Sequence, residues 1–318
     1  MKRALNIILR VVISGGLLFL ILRKVDFAEI GRILKEANIN FFLIAIGGYI
    51  IMAVLSALRW HRLLKVQKVE LPYRRTLAYY LIGFFYNNFL PTTIGGGAVR
   101  AIYAGRADKK MKESFSSMLI ELIIGGWALI AFALIAGLLW FRGASLYKVL
   151  LPLVGVFVLA SVLVYLFFER GVISKFKGIV EKIRIFGIGE KAKGFYNALH
   201  TYRDKKKQII EALVLSFAIQ FVIAIMNLSI GLAVGFKLPF MSYVVYPVII
   251  GLLTTIPLTI NGLGIREWGY RFFFAQVGLS STETVTLSLL FYIVGVIGSL
   301  AGGIIFPFMK FSEVKKDD

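Results

Sequence analysis

The chain has 318 residues, of which 58% are hydrophobic and 17% charged, with no cysteine and two distant histidines, His61 and His200. This composition argues against a disulfide framework, thiolate chemistry and a histidine-based metal site, and the chain is too apolar for a soluble domain. Lys and Arg number 37 against 17 Asp and Glu, a net charge of +20. In a soluble chain that would suggest nucleic acid, but these cations cluster in segments between apolar runs and read as a topology signal. They also suit anionic lipid head groups, at about 1 kcal/mol per Lys or Arg near the surface.

In chain order, residues 1–24 join a basic start to an apolar run. The run is long for a signal peptide and lacks a small-x-small cleavage site, so a retained first helix is expected. Spans are predicted at about 5–22, 39–58, 116–140, 147–168, 209–236 and 285–309, each near the ~20 residues that cross a bilayer. Residues 26–38 put Phe27, Ile30, Leu34 and Ala37 on one helical face, as in an interfacial amphipathic helix. The segments 59–76, 99–115 and 169–208 are rich in Lys and Arg, whereas 141–146 has only Arg142 and 279–284 has none. The basic segments are therefore assigned to the cytoplasm, along with both termini.

Two apolar stretches, 77–98 and 243–265, are interrupted by Pro and Gly. If 77–98 crossed fully, the cations after it would lie outside, against the charge rule. A re-entrant hairpin keeps them inside. The expected fold is thus an all-α polytopic membrane protein, one integral domain over 1–318, with about six full transmembrane helices and two Pro/Gly-broken re-entrant hairpins. Eight full spans is the competing count.

The interrupted stretches repeat. Pro91-Thr92-Thr93-Ile94-Gly95-Gly96-Gly97-Ala98-Val99-Arg100 aligns with Pro257-Leu258-Thr259-Ile260-Asn261-Gly262-Leu263-Gly264-Ile265-Arg266 at a shift of 166 residues. Pro, Thr, Ile, Gly and Arg coincide. With the first copy opening to the cytoplasm and the second outward, this predicts an inverted repeat with halves of about 39–140 and 209–309, joined by the basic segment 169–208. Such paired, broken segments point to a transporter binding site. Pro breaks the helix, and broken backbone at membrane depth must line a cavity or be buried in protein. A helix restarting after the glycines aims N–H groups into that cavity. Arg100 and Arg266 add planar forks suited to phosphate.

The candidate substrate-binding residues are Asn88, Pro91, Thr93, Gly95, Gly96, Gly97, Arg100 and Glu121 in the first half, and Pro257, Thr259, Gly262, Gly264, Arg266 and Glu267 in the second. Glu121, in an apolar run, is a candidate to pair with Arg100 or carry a coupling proton. Glu267 stands beside Arg266 as a partner. Asn87 and Asn88 precede the first Pro and are placed to cap or line the hairpin. Gln220 and Asn227, seven apart, share one face and suit interhelical hydrogen bonds. Arg10 is placed to snorkel, and Arg271 to face a cavity or a partner.

The stretches Ala57-Leu58-Arg59-Trp60-His61-Arg62-Leu63-Leu64, Phe85-Tyr86-Asn87-Asn88-Phe89-Leu90-Pro91 and Asn261-Gly262-Leu263-Gly264-Ile265-Arg266-Glu267 resemble the flippase-like transmembrane domain of lysylphosphatidylglycerol synthases and their stand-alone UPF0104 relatives. The resemblance covers nearly the whole chain. It implies a multi-pass plasma-membrane protein with lipid translocation as its activity, and some archaeal relatives are linked to polyprenyl-phosphate sugar pathways. Many relatives follow the acid matching Glu121 with Arg, and have an Asp a few residues on. Here Leu122 and Gly125 occupy that region. The chain given stops at Asp318 soon after its last span, so the synthase activity is not expected.

The expected function is a flippase for a phosphate-bearing lipid, phospholipid or polyprenyl-phosphate-linked, with membrane lipids as partners and no cofactor, metal or nucleic acid. An envelope-enzyme partner or a homo-oligomer is compatible with the sequence. The rival readings are a membrane enzyme on a lipid-linked substrate, such as a polyprenyl-phosphate glycosyl transferase, and a non-transporting partner of an envelope enzyme. The enzyme reading lacks a carboxylate or histidine cluster, and no Gly-rich phosphate loop accompanies Arg106–Lys112.

Overall fold

The structure is a computed structural model and describes residues 26–88, 90, 95–140, 143–168, 201–255, 259 and 262–309. The expected first span 5–22, Arg10, Pro91, Thr93, Pro257, Asn261 and most of the basic segment 169–208 lie outside the described residues.

The described elements are all helical. α1 (Phe27–Lys35) starts on Asp26, whose carboxylate accepts from the N–H groups of Ala28 and Glu29 at 2.9 and 3.2 Å. It packs on the last long helix, and Asp26 N–H donates to Thr282 Oγ1 at 3.2 Å. Long helices follow as α2 (Ile39–Val66), α5 (Met111–Trp140), α6 (Gly143–Phe168), α7 (Lys206–Ala233) and α10 (Ser281–Ile305). Four segments are long and apolar enough to cross a bilayer: Ile39–Val66, Met111–Trp140, Lys206–Ala233 and Ser281–Phe308. Many of their outward side chains are large and apolar, among them Ile50, Ile51, Leu138, Val214 and Ile304. Such a surface suits hydrocarbon rather than water.

The two interrupted stretches become helix pairs: α3 (Tyr73–Asn87) with α4 (Gly95–Ala107), and α8 (Phe240–Thr255) with α9 (Ile265–Phe274). At 1.5 Å per residue the longest of these arms is roughly 24 Å, short of the ~30 Å hydrocarbon thickness. The arms of each pair run antiparallel. In the first, Tyr79 and Tyr103 ring centroids are 5.4 Å apart, and further along the backbones of Gly83 and Gly96 touch. In the second, Tyr246 and Phe273 are 5.5 Å apart, and Gly269 lies against Ile250.

Contacts between helices fall into matching pairs. α2 packs along α7. α3 packs on α10 as α8 packs on α5, and α4 packs on α5 as α9 packs on α10. α2 and α7 run in opposite directions, because Asn38 N–H donates to Ala233 O at 2.7 Å while Arg59 Nη1 donates to Ser216 Oγ at 2.8 Å. Small residues let these helices approach, as is usual in membrane interfaces. A methyl at Gly302 would fall 2.0 Å from Leu81 O, and one at Gly48 would fall 2.6 Å from Met226 Cγ.

One end of the molecule is strongly basic. There the α2–α3 turn, the α4–α5 turn and the start of α7 meet. Lys110 Nζ donates to Lys68 O at 2.6 Å, Glu70 N–H to Asp108 Oδ2 at 3.1 Å, and Tyr202 OH to Leu63 O at 2.9 Å. Burial pushes the Tyr202 phenol well above its ordinary pKa.

Candidate functional site

Each broken pair delivers one arginine to the interior. Arg100, 5% exposed, sits on α4 and Glu121, 1% exposed, on α5. Arg100 Nη2 donates to Glu121 Oε2 at 2.5 Å. The other carboxylate oxygen takes three donors: Arg59 Nη2 at 2.9 Å, Arg59 Nε at 3.3 Å and the Tyr80 hydroxyl at 2.9 Å. The Arg100 guanidinium lies 4.0 Å from the Tyr80 ring centroid and 4.5 Å from that of Trp60, within cation–π range. Trp60 Nε1 in turn donates to Ser117 Oγ at 3.0 Å. Residues from α2, α3, α4 and α5 thus meet at one carboxylate, and Ser216 on α7 joins them through Arg59 Nη1 at 2.8 Å.

Arg59 is the residue that sequence reasoning missed, because it was counted among the loop cations of 59–76. α2 runs on to Val66 and carries Arg59 into the interior, where one carboxylate serves two guanidinium groups. A side chain at Gly125 would begin 3.3 Å from Arg59 Nη1.

In the second half, Arg266 Nη2 and Nε donate to Glu267 Oε1 at 2.5 and 2.9 Å, and the guanidinium lies 4.6 Å from the Tyr292 ring centroid. Ser288 Oγ accepts from Arg266 Nε and donates to Glu267 Oε1, both at 3.3 Å. Arg266 also lines a cavity of about 230 Å³ with Gln220, Pro247, Gly251, Thr254 and Tyr270 among its walls. Asn227 accepts from the Tyr270 hydroxyl at 2.5 Å and so joins α7 to α9. Gln220 faces the cavity, so the expected pair divides its roles.

The glycines act in two ways. Gly262 and Gly264 have φ of 73° and 87°, a left-handed backbone that other residues enter at a cost. Gly96 instead permits close approach, since a methyl there would fall 1.9 Å from Gly83 O. Gly95 and Gly97 abut Leu90 and Met118. The backbone donors expected to face a ligand already have partners at two positions: Gly96 N–H donates to Asn87 Oδ1 at 2.8 Å, and Gly264 N–H to Glu267 Oε2 at 2.6 Å. Asn87 at the end of α3 and Glu267 in the first turn of α9 each capture the donor before a ligand could. Asn88 turns the other way, and its Nδ2 donates to Ser299 Oγ at 2.7 Å. Thr259 is buried, and its Oγ1 has no hydrogen-bond partner among the described residues. Arg271 is half-buried on α9.

Long apolar helices with apolar outer faces, and charged side chains confined to the interior and the ends, define a polytopic α-helical membrane protein. The family described as the lysylphosphatidylglycerol synthase transmembrane region matches residues 7–303, and the chain belongs to that family. It is similar to a UPF0104 membrane protein of Pyrococcus horikoshii, 24% identical over 93% of this chain and 95% of that one. It is also similar to a UPF0104 membrane protein of Methanocaldococcus jannaschii, 24% identical over 64% of this chain and 65% of that one.

Proposed function

We propose that the protein moves a phosphate-bearing lipid, phospholipid or polyprenyl-phosphate-linked, between the leaflets of the plasma membrane, without covalent catalysis. The observation that carries the reading is the pair of broken helical hairpins, each turning an Arg inward in the same repeated frame, Arg100 buried and Arg266 on a cavity wall. In this reading α3–α4 enters the bilayer from the cytoplasm and α8–α9 from outside, as re-entrant halves of an inverted repeat, with both termini cytoplasmic. The opposed directions of α2 and α7 and the paired helix contacts support it. So does the cavity beside Arg266, where an apolar wall and one guanidinium suit a head group still attached to its chain. Paired hairpins of this kind let a fixed central site face each side in turn.

The test is translocation of a fluorescent phospholipid in proteoliposomes, comparing the native chain with the Arg100→Ala, Arg266→Ala double variant. Transport should fall by at least about tenfold, the effect of losing one charge-assisted hydrogen bond of ~1.4 kcal/mol. Unchanged transport by a folded double variant would sink the assignment. Release of nucleotide from a sugar donor in the presence of lipid, in place of lipid movement, would identify a membrane glycosyl transferase instead.

A further inference from the structure

The two arginine clusters differ in formal charge. Among the described residues, Glu121 is the one acid paired with Arg59 and Arg100, which leaves one positive charge uncompensated. Glu267 faces Arg266 alone, and that pair is neutral. Arg100 Nη1 is buried and has no hydrogen-bond partner among the described residues. A buried guanidinium donor without an acceptor calls for an explanation. The flanking faces of Trp60 and Tyr80 give the charge cation–π contacts but no oxygen acceptor.

The ends of the molecule carry the same asymmetry. The end nearer Arg100 exposes Arg62, Lys65, Lys68, Arg74, Arg75 and Lys109. At the end nearer Arg266, the described cations Arg32, Lys35, Lys237 and Arg271 are balanced by Asp26, Glu29, Glu36 and Glu283. Anionic head groups therefore concentrate at the Arg100 end.

We infer that the Arg59–Arg100–Glu121 cluster is an anion site for a single negative charge, with Arg100 Nη1 as its free donor, and that its ligand is the phosphodiester of a lipid head group. A phosphodiester carries one charge and matches the cluster, whereas a phosphate monoester carries about −1.5 to −2 at pH 7 and exceeds it. The neutral Arg266 half holds the same lipid without selecting its charge. The head group loads at the Arg100 end, and selection happens there. That the anion comes from a lipid rests on the transport reading above. The charge count does not.

The experiment is equilibrium binding to the full chain in detergent, read by native mass spectrometry. The probes are phosphatidylglycerol (anionic diester), phosphatidylcholine (zwitterionic diester), phosphatidic acid (monoester) and soluble glycerol phosphate. The native chain should favour phosphatidylglycerol over phosphatidylcholine by about tenfold, the effect of one charge-assisted contact. Arg59→Gln makes the cluster neutral and should abolish that preference, and Glu121→Gln adds a charge and should turn it towards phosphatidic acid. Arg266→Gln should weaken both diesters alike. Arg59→Lys keeps the charge and should keep the selectivity, so a misfolded Arg59→Gln still leaves Arg100→Gln, which also neutralises the cluster, to carry the test.

Native selectivity in a folded Arg59→Gln or Arg100→Gln variant would overturn the inference, as would selectivity lost only in Arg266→Gln. Competition by glycerol phosphate as strong as by lipid would make this a site for free organic phosphates and remove the lipid assignment. Selective binding without translocation would leave the site standing and sink the transport reading. Translocation indifferent to head-group charge would do the reverse.

Discussion

The Arg100 and Arg266 clusters come from the same ten-residue frame, yet they are wired differently. Arg100 takes its carboxylate from another helix, and that carboxylate also holds Arg59 and Tyr80, so four helices meet at Glu121 and a fifth is tied to it through Arg59. Arg266 takes its carboxylate from the next residue on its own helix, and Glu267 also ties down the Gly264 N–H that starts α9. The first arrangement is a tertiary lock and the second a local one that leaves the guanidinium on a cavity wall. A repeated frame fixes where an arginine sits, but the origin of its counter-ion fixes what that arginine is free to do.

The strongest way to break this comparison is to remove each acid. Glu121→Ala strands two buried guanidinium groups and should cost about 3–5 kcal/mol of stability, as breaking a buried pair does. Glu267→Ala removes a helix-start contact and one partner beside a cavity, and should cost about 1–2 kcal/mol. Thermal unfolding in detergent micelles reads both, and equal losses would show that the two acids do the same job.

The glycines offer a second, smaller contrast. Gly96→Ala forces α3 and α4 apart and should cost about 1–3 kcal/mol as overpacking. Gly264→Ala meets a left-handed backbone and should cost about 1–2 kcal/mol. The ψ of −52° at Gly264 lies outside the left-handed well that Asn tolerates, so Gly264→Asn should cost as much as Gly264→Ala, while Gly96→Asn should be worse than Gly96→Ala. An Asn at position 96 tolerated as well as Ala would mean that close approach is not what Gly96 provides.

The smallest effects concern the rings. Tyr80→Phe keeps the face under Arg100 but deletes the donor to Glu121, and should cost about 1 kcal/mol. Tyr292→Leu removes a face from the less enclosed Arg266, at about 0.5–1 kcal/mol. A larger loss at Tyr292 would reverse the ranking of the two clusters.

The spacing of apolar residues and of Pro and Gly was enough to place every long described helix and both breaks, because hydrocarbon admits few alternatives to a continuous helix. The sequence placed α2, α5, α7 and α10, and it marked 77–98 and 243–265 as broken. Helix α2 nevertheless outruns the expected 39–58 by eight residues, to Val66. Arg59 then falls on the buried face of an amphipathic end instead of in a loop. Composition alone could not tell these apart, since a basic helix end and a basic loop read alike.

The site divides in the same way. The Arg266–Glu267 pair was legible because its members are adjacent in the chain. The sequence also offered Glu121 as a partner for Arg100, at a separation of 21 residues. The contacts Arg59–Glu121 and Arg59–Ser216 bridge 62 and 157 residues, and only the packing of α2 against α5 and α7 decides them. By itself the sequence determined an all-α polytopic membrane protein with two interrupted, arginine-bearing stretches, because periodicity and helix breakers act locally. The tertiary structure alone decided which carboxylate answers which arginine, and so which half is left with a charge, because the balance of buried ions depends on distances across the fold.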